Sequence, residues 1–183
     1  LTGLPNRRLM LDRLDRALTN CVRHRRHAAL LITDLDNFKT LNDTLGHYMG
    51  DQLLREAASR LERCVRKSDT VARMGGDEFL IILEDLDGEG TAAMQAESIA
   101  RKIQERLSHP FLLQNELPGQ AAVTNVHRCT SSTGIAMFND DSLSGEELMK
   151  RADTAMYQAK AAGRNTLRFF DPDMQAAVAA RAI

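Results

Sequence analysis

The sequence has no surplus of charge of either sign: its 183 residues include 24 Lys and Arg and 25 Asp and Glu, a net charge of −1. A protein that binds duplex DNA normally carries a clear basic excess, so we expect no nucleic-acid partner. Long apolar runs are also missing, because the longest, Ala28–Ile32 and Phe79–Leu83, fall far short of the ~20 residues that span a bilayer. Any contact with a membrane is therefore expected to depend on domains outside this sequence.

The sequence has only three cysteines, none of them in a CxxC pair, and no secretory signal peptide. An odd number of separated thiols argues against a disulfide framework and against a zinc site, and it is typical of a reducing compartment. We therefore expect a cytoplasmic protein. The first residue is Leu1 rather than Met, which we interpret as a piece of a longer polypeptide.

No internal repeat or low-complexity tract is present, and 43% hydrophobic with 27% charged residues is an ordinary globular composition. The length fits one domain with a real core, which we expect to span residues 1–170. Residues 171–183 turn Ala-rich after Pro172. They are predicted to form a helical linker to a following domain, with little to pack against.

Apolar periodicity predicts alternating helices and strands. Four segments with apolar residues at steps of three and four are predicted helices. They lie within Asn6–Arg25, Leu54–Val65, Ile99–Leu107 and Leu148–Ala159. Five short apolar runs are predicted buried strands. These are Ala28–Leu35, Val71–Met74, Phe79–Leu83, Val126–Ile135 and Leu167–Phe170. We expect an α/β or α+β sheet covered by helices, with a loop at Gln114–Gln120.

Two carboxylates, Asp34 and Asp36, end the first predicted strand. Residues two apart on an extended strand point to the same face, and sites in helix-covered sheets lie at the carboxyl ends of strands. This pattern allows either a metal site or a solvated strand end. An EF-hand is excluded, because Phe38 and Lys39 stand where its calcium loop needs other residues.

A second acidic pair, Asp77 and Glu78, follows Gly75 and Gly76 between two apolar runs. Two glycines in that position predict a tight hairpin, since glycine reaches positive φ without steric cost. A hard cation such as Mg²⁺ would neutralise this pair together with Asp34. The alternative is a surface hairpin with solubilising acids, and the apolar run that follows favours a central hairpin.

The segment Asn42–Asp51 contains Gly46 and Gly50, which we expect to turn the backbone between two helical segments. Asp51 is interpreted either as a helix N-cap or as an acceptor for the N–H edge of guanine, with Asn42 pairing to another base edge. Adenine lacks the adjacent N–H donors, so a carboxylate would discriminate for guanine.

Two cations, Lys160 and Arg164, lie four residues apart near the end of the last predicted helix. Such cations complement the helix dipole, and they are also candidates for binding an anion. Neither a GxxxxGK[ST] nor a GxGxxG motif occurs, so a nucleotide would not be held by a P-loop or a Rossmann turn.

These segments together resemble the GGDEF domain of diguanylate cyclases. The matching blocks are Leu1–Arg8, Asp34–Lys39, Asn42–Asp51, Gly75–Phe79, Ser132–Ala136, Ala152–Tyr157 and Ala159–Asn165. The resemblance implies a central, mostly antiparallel five-stranded sheet flanked by helices, similar to nucleotidyl cyclases and polymerase palms, with the GGDEF motif on a β-hairpin. The implied reaction joins two GTP molecules into cyclic di-GMP and releases two pyrophosphates.

The resemblance also implies roles for the acids. Mg²⁺, or Mn²⁺, would be held by Asp34, Asp77, Glu78 and the carbonyl of Leu35. Asp77 is the implied base for the attacking 3′-hydroxyl, with Glu78 beside it. Lys39 is placed to stabilise the charge that develops in the transition state.

The implied substrate contacts divide between the guanine and the phosphates of GTP. Asn42 and Asp51 would read guanine. The residues implied to contact phosphate are Lys39, Lys160, Arg164 and the backbone around Asn37 and Phe38.

The symmetry of the product implies a homodimer, because each GTP must present its 3′-hydroxyl to the other's α-phosphate across a two-fold axis. Arg66 and Asp69 match the family's RxxD site, at which cyclic di-GMP acts as an inhibitor, and Arg101 of a neighbouring helix is a further candidate. A solvated cation is the alternative role for Arg66.

A regulatory module that binds GTP or cyclic di-GMP without catalysis is the alternative function, and a plain dimerisation module is a third. The presence of both Asp77 and Glu78 favours catalysis over a non-catalytic regulatory module. A plain dimerisation module would leave the converging charged residues unexplained. Leu113–Arg128 is longer than the family's usual hairpin, and we assign no function to the excess.

Overall fold

The computed structural model describes residues 1–88 and 90–181, and within them the chain alternates helices with strands. The helices are α1 (Arg7–His24), α2 (Phe38–Leu45), α3 (His47–Glu62), α4 (Thr91–Ser108), α5 (Gly145–Ala161) and α6 (Pro172–Arg181). The strands are β1 (His27–Leu35), β2 (Thr70–Gly75), β3 (Glu78–Leu86), β4 (Phe111–Asn115), β5 (Val123–His127), β6 (Ser131–Phe138) and β7 (Thr166–Phe169). No helix among the described residues is both long enough and apolar enough to cross a bilayer.

The main sheet has five strands in the order β2-β3-β1-β6-β7, and only the β6–β7 pair is parallel. This confirms the expected five-stranded, mostly antiparallel sheet and the β2–β3 hairpin. The central strand β1 places Asp34 opposite Glu78 on one neighbour and opposite Ser132 on the other. The end of β1 therefore lies beside the hairpin turn.

Both faces of the sheet are buried, which explains why β1 reads as a continuous apolar run. Leu30 and Ile32 pack on one face against α1 and α5, while Leu31 and Leu35 pack on the other against α3 and α4. The alternation follows from the two-residue period of a strand. Asp34 lies two residues after Ile32 on the same strand, so its side chain is on the face that packs against α1 and α5.

The predicted single strand Val126–Ile135 is wrong. It covers the end of β5 and the start of β6, which lie in different sheets, because β5 pairs with β4 in a separate two-stranded ribbon. The predicted loop at Gln114–Gln120 also begins too early, since Gln114 still belongs to β4. Its backbone exchanges two hydrogen bonds with the amide of Gln52 on α3, at 2.6 and 2.9 Å. The ribbon accounts for much of the long Leu113–Arg128 segment.

The C-terminal tail forms the predicted helix, but the expectation that it has little to pack against is wrong. Val178 is buried, and Met174 packs against the core between α4 and the sheet. Gln175 accepts a hydrogen bond from the backbone of Phe169 at 3.0 Å, which ties α6 to β7. The linker role of residues 171–183 stays a prediction, and residues 182 and 183 lie outside the described part of the chain.

Candidate active site

Asp34 is a nearly buried carboxylate, 8% exposed, at the end of β1. Its Oδ2 accepts a hydrogen bond from the ammonium of Lys160 on the last turn of α5. Its Oδ1 is buried and has no hydrogen-bond partner among the described residues. A buried carboxylate oxygen without a partner is costly, so this atom is suited to a ligand.

Asp77 lies in the turn of the β2–β3 hairpin, where Gly75 and Gly76 adopt φ angles of 145° and 51°. Its carbonyl accepts a hydrogen bond from the backbone N–H of Leu35 at 3.3 Å, which fixes the turn against the end of β1. Burial is the largest cause that raises the pKa of Asp77 to about 7, and the neighbouring carboxyl of Asp34 adds to it. Asp34 and Asp77 line the same cavity.

Glu78 begins β3 directly opposite Asp34. Burial is the largest cause that raises the pKa of Glu78, and the negative charges of Asp153 and Asp34 raise it further. It does not line the cavity that Asp34 and Asp77 share. Glu78 is thus an acidic neighbour of the pair rather than a third member of the same cluster.

Asp34 and Asp77, called the acidic pair from here on, line a cavity of about 330 Å³ beside the start of α2. All the residues predicted to hold the metal or the phosphates, except Glu78, line this cavity. Its lining consists of Asp34, Leu35, Asp36, Asn37, Phe38, Lys39, Thr40, Asp77, Lys160 and Arg164. Three carboxylates therefore lie next to three cationic side chains. Acids beside cations in one cavity are suited to a divalent cation bound together with a polyphosphate.

Asp36 has a structural role that the sequence does not reveal. β1 ends at Leu35, so the expectation that Asp34 and Asp36 share one strand face is wrong. The Asp36 carboxylate accepts hydrogen bonds from Thr130 at 2.6 Å, Ser132 at 2.7 Å and the backbone N–H of Asn165 at 3.1 Å. It therefore joins the β1–α2 turn to β6 and to the α5–β7 connection.

The α5–β7 connection carries Arg164 to the cavity in an unusual backbone conformation. Arg164 and Asn165 both have positive φ, 64° and 48°, after a glycine at φ 110°. The hydrogen bond from Asn165 to Asp36 stabilises this turn. Arg164 therefore lies beyond the helix end, and its place in the cavity depends on Asp36.

The two residues predicted to read guanine lie on facing helices, Asn42 on α2 and Asp51 on α3, outside the lining of this cavity. The N-cap interpretation of Asp51 is wrong, because α3 begins at His47. Gly50 does not turn the chain either. A Cβ at Gly50 would lie 1.9 Å from Oδ1 of Asn42, so glycine leaves room for the Asn42 amide between the two helices. That Oδ1 is buried and unpartnered among the described residues.

Replacing Gly50 with Ala is expected to displace the Asn42 side chain while leaving the fold intact, because the collision is with a movable amide rather than with backbone. If Asn42 reads guanine, the KM for GTP should rise at least about tenfold, and selectivity for GTP over ATP should fall. Steady-state kinetics with both nucleotides measures this. Arg55→Ala, an exposed change on α3, is the control, and unchanged GTP selectivity in Gly50→Ala would contradict the assignment.

The predicted RxxD site is a loop held by its own aspartate. The Asp69 carboxylate accepts hydrogen bonds from the backbone of Arg66 at 2.9 Å and of Glu84 at 3.1 Å. Arg66 is exposed, whereas Arg101 forms an ion pair with Glu97 on its own helix at 2.8 Å. Among the described residues, neither guanidinium forms an ion pair with Asp69.

The donor set fits a cation that is held jointly with substrate. No group of three His, Cys, Asp or Glu side chains in residues 1–88 and 90–181 could hold a metal ion alone. Asp34 and Asp77 would supply carboxylate oxygens, and Leu35, whose carbonyl is a further candidate ligand, lines the same cavity. Mg²⁺ is commonly bound by one or two carboxylates plus the phosphates of a substrate, so these residues fit Mg²⁺.

The fold, with an acid-lined cavity beside the end of its central strand β1, is that of a domain of the nucleotidyl cyclase class. The family model "Diguanylate cyclase, GGDEF domain" matches residues 1–166. The chain therefore belongs to the GGDEF domain family, as the sequence motifs indicated.

Known proteins of this family are similar over nearly the whole chain. The bifunctional diguanylate cyclase/cyclic di-GMP phosphodiesterase MucR of Pseudomonas aeruginosa is 41% identical over 176 residues, which cover 96% of this chain and 24% of MucR. The GGDEF domain of P. aeruginosa PA1120 (YfiN or TpbB) superposes with a TM-score of 0.79 at 37% identity, covering 92% of this chain and 98% of that one. The GGDEF domain of Caulobacter crescentus DgcB, solved with c-di-GMP, gives a TM-score of 0.78 at 31% identity, covering 92% of each chain.

Proposed function

We propose that the chain is a catalytically active diguanylate cyclase domain, which condenses two GTP molecules into cyclic di-GMP and releases two pyrophosphates. The observation that carries this proposal is that Asp34 and Asp77, two acids from separate segments of the chain, line one cavity with Lys39, Lys160 and Arg164. Cyclic di-GMP bound to the DgcB domain supports the choice of product. GTP is a cytoplasmic nucleotide, so the proposal places the domain in the cytoplasm.

Catalysis in this proposal depends on the acidic pair. Asp34, Asp77 and the carbonyl of Leu35 would hold Mg²⁺ or Mn²⁺, which supplies positive charge to the reacting phosphate. Asp77, which lines the cavity, accepts the proton of the attacking 3′-hydroxyl as the general base. Glu78 adds negative charge beside the pair, and Lys39 stabilises the charge that develops on the phosphate.

The phosphates are bound at the start of α2. Asn37, at φ 61°, precedes the helix, so the free backbone N–H groups of the first turn are available to an anion. Lys160 and Arg164 line the same cavity and supply positive charge. The guanine lies against Asn42 and Asp51, whose acceptors match its N–H donors.

The domain acts as a homodimer in this proposal, since the described part of the chain carries one such cavity and the product contains two nucleotides. The test is incubation of the purified chain with GTP and Mg²⁺, followed by chromatography for cyclic di-GMP. We expect product from GTP and none from ATP, with a specific activity that rises with protein concentration. A specific activity that stays constant down to the dilute monomer would contradict the dimer. GTP binding without any product would favour the non-catalytic module instead.

Product inhibition is proposed to act through Arg66, Asp69 and Arg101. Replacing Arg66 with Ala should raise the concentration of cyclic di-GMP needed for half-inhibition at least about tenfold, because a guanidinium–phosphate contact is lost. The exposed Arg66 is a cleaner test than Asp69, whose carboxylate holds the loop. Lys67→Ala is the matched control in the same loop, and unchanged inhibition of Arg66→Ala would remove this site.

A further inference from the structure

Lys160 is the cation that contacts the acidic pair. Its ammonium donates a hydrogen bond to Oδ2 of Asp34, and the Lys160 side chain is 31% exposed against 11% for that of Asp34. Arg164 lines the same cavity but forms no ion pair with Asp34 among the described residues. Two cations of one cavity therefore differ in what they touch.

A divalent cation held by Asp34 and Asp77 would lie close to this ammonium. Like charges repel strongly in a partly buried site, where the effective dielectric is lower than that of water. Asp34 and Asp77 also offer too few ligands to complete a coordination shell without other oxygens. The ammonium and a metal without phosphates thus compete for the same carboxylates.

We infer that Lys160 is a positioning residue that occupies the acidic pair in the nucleotide-free protein and moves from Asp34 to the triphosphate when a divalent cation enters together with GTP. The inference rests on the proposed function, and it deepens that proposal by giving the order in which the cations use the site. Metal without nucleotide binds weakly, while metal and nucleotide strengthen each other's binding.

The geometry allows this exchange. The side chain of Lys160 is a flexible four-carbon stem that ends in a compact positive charge. Its ammonium is therefore able to change partners within the 330 Å³ cavity without moving α5. Lys160 contacts Oδ2 of Asp34, whereas Oδ1 is buried and unpartnered among the described residues. A cation at that oxygen would share Asp34 with Lys160 until the ammonium leaves.

The test measures Mn²⁺ binding by electron paramagnetic resonance in nucleotide-free protein. Lys160→Met should bind Mn²⁺ at least about tenfold more tightly than the wild type, and Lys160→Arg, which keeps the charge, should bind it as the wild type does. The gain in Mn²⁺ affinity that GTP produces should shrink by a similar factor in Lys160→Met, while its GTP affinity falls. Lys160→Gln should give the same result as Lys160→Met. Circular dichroism checks that each variant is folded, and if one misfolds the other still tests the inference.

Two control variants distinguish the contact between Lys160 and Asp34 from a general effect of positive charge on Mn²⁺ binding. Lys150→Met removes an exposed ammonium from α5 and should leave Mn²⁺ affinity unchanged. Arg164→Met removes a cation from the cavity, and it should weaken GTP binding with a clearly smaller effect on nucleotide-free Mn²⁺ affinity. Equal Mn²⁺ affinity in Lys160→Met and wild type, or an equal gain in Arg164→Met, would overturn the inference.

The outcome is independent of turnover. A wild type that makes cyclic di-GMP, together with an unchanged Mn²⁺ affinity in Lys160→Met, would reject the exchange alone. A wild type that makes no product, together with the expected gain in Mn²⁺ affinity, would reject the proposed catalysis and leave the role of Lys160 in place.

Discussion

Asp77→Asn is expected to lower the rate of cyclic di-GMP formation by about a thousandfold or more, because it removes both a metal-binding oxygen and the proton acceptor. Formation of product at saturating GTP and Mg²⁺ measures the effect. Asp12→Asn, which changes an exposed carboxylate of α1 that pairs with Arg16, is the matched control and should keep wild-type activity. Asp77→Asn with activity within a few-fold of the wild type would remove the proposed catalytic role.

The same variant should not lose stability, which separates loss of catalysis from unfolding. The pKa of Asp77 is raised in the folded protein, so the folded state binds its proton more tightly than the unfolded chain. This contribution is complete at low pH and is lost as the pH rises through about 7. Asn removes the like-charge contact with Asp34, so at pH 8 without metal the melting temperature of Asp77→Asn should equal or exceed that of the wild type.

The second large effect is expected at Gly134, in the middle of β6. A Cβ there would lie 2.0 Å from the carbonyl oxygen of Ala152 and 2.2 Å from the backbone nitrogen of Met156, both on α5. Backbone atoms of a packed helix have no room to move, so Gly134→Ala should cost at least about 3 kcal/mol of unfolding free energy. Because α5 also carries Lys160, the displaced helix should disturb the phosphate cavity.

Denaturant unfolding followed by circular dichroism measures this cost. Gly88→Ala is the matched control, because a Cβ at Gly88 meets nothing within 4 Å and its φ is not positive. It should change the unfolding free energy by no more than about 0.5 kcal/mol. Equal midpoints for Gly134→Ala and the wild type would show that α5 does not pack on β6 this closely.

Most of the fold follows from local patterns. α1 runs from Arg7 to His24 with Asn6 as its N-cap, almost as its apolar stripe predicts, and paired glycines mark the β2–β3 turn. The break between β5 and β6 is not visible in the sequence, because residues on both sides of it have the composition of a strand. Only the pairing of β5 with β4, a contact distant from the main sheet, separates them.

The candidate site shows the same division between local and tertiary information. Asp34 is predicted from its place at the end of an apolar run and Asp77 from its place after paired glycines, and the fold brings both to one cavity. Asp36 looked like a second site carboxylate, yet its partners Thr130 and Ser132 lie about a hundred residues away, so only the folded chain shows its structural role. The need for glycine at position 50 likewise comes from the packing of α2 on α3.

In the proposed function Asp34 and Asp77 jointly hold a divalent cation over which GTP is bound. A crystal structure of this chain with Mn²⁺ and a non-hydrolysable GTP analogue tests it most directly, because the anomalous signal locates the metal. We expect a manganese peak within ligand distance of both carboxylates and of a phosphate oxygen. A nucleotide bound in this cavity with manganese elsewhere, or with Asp34 still paired to Lys160 and touching no metal, would contradict it.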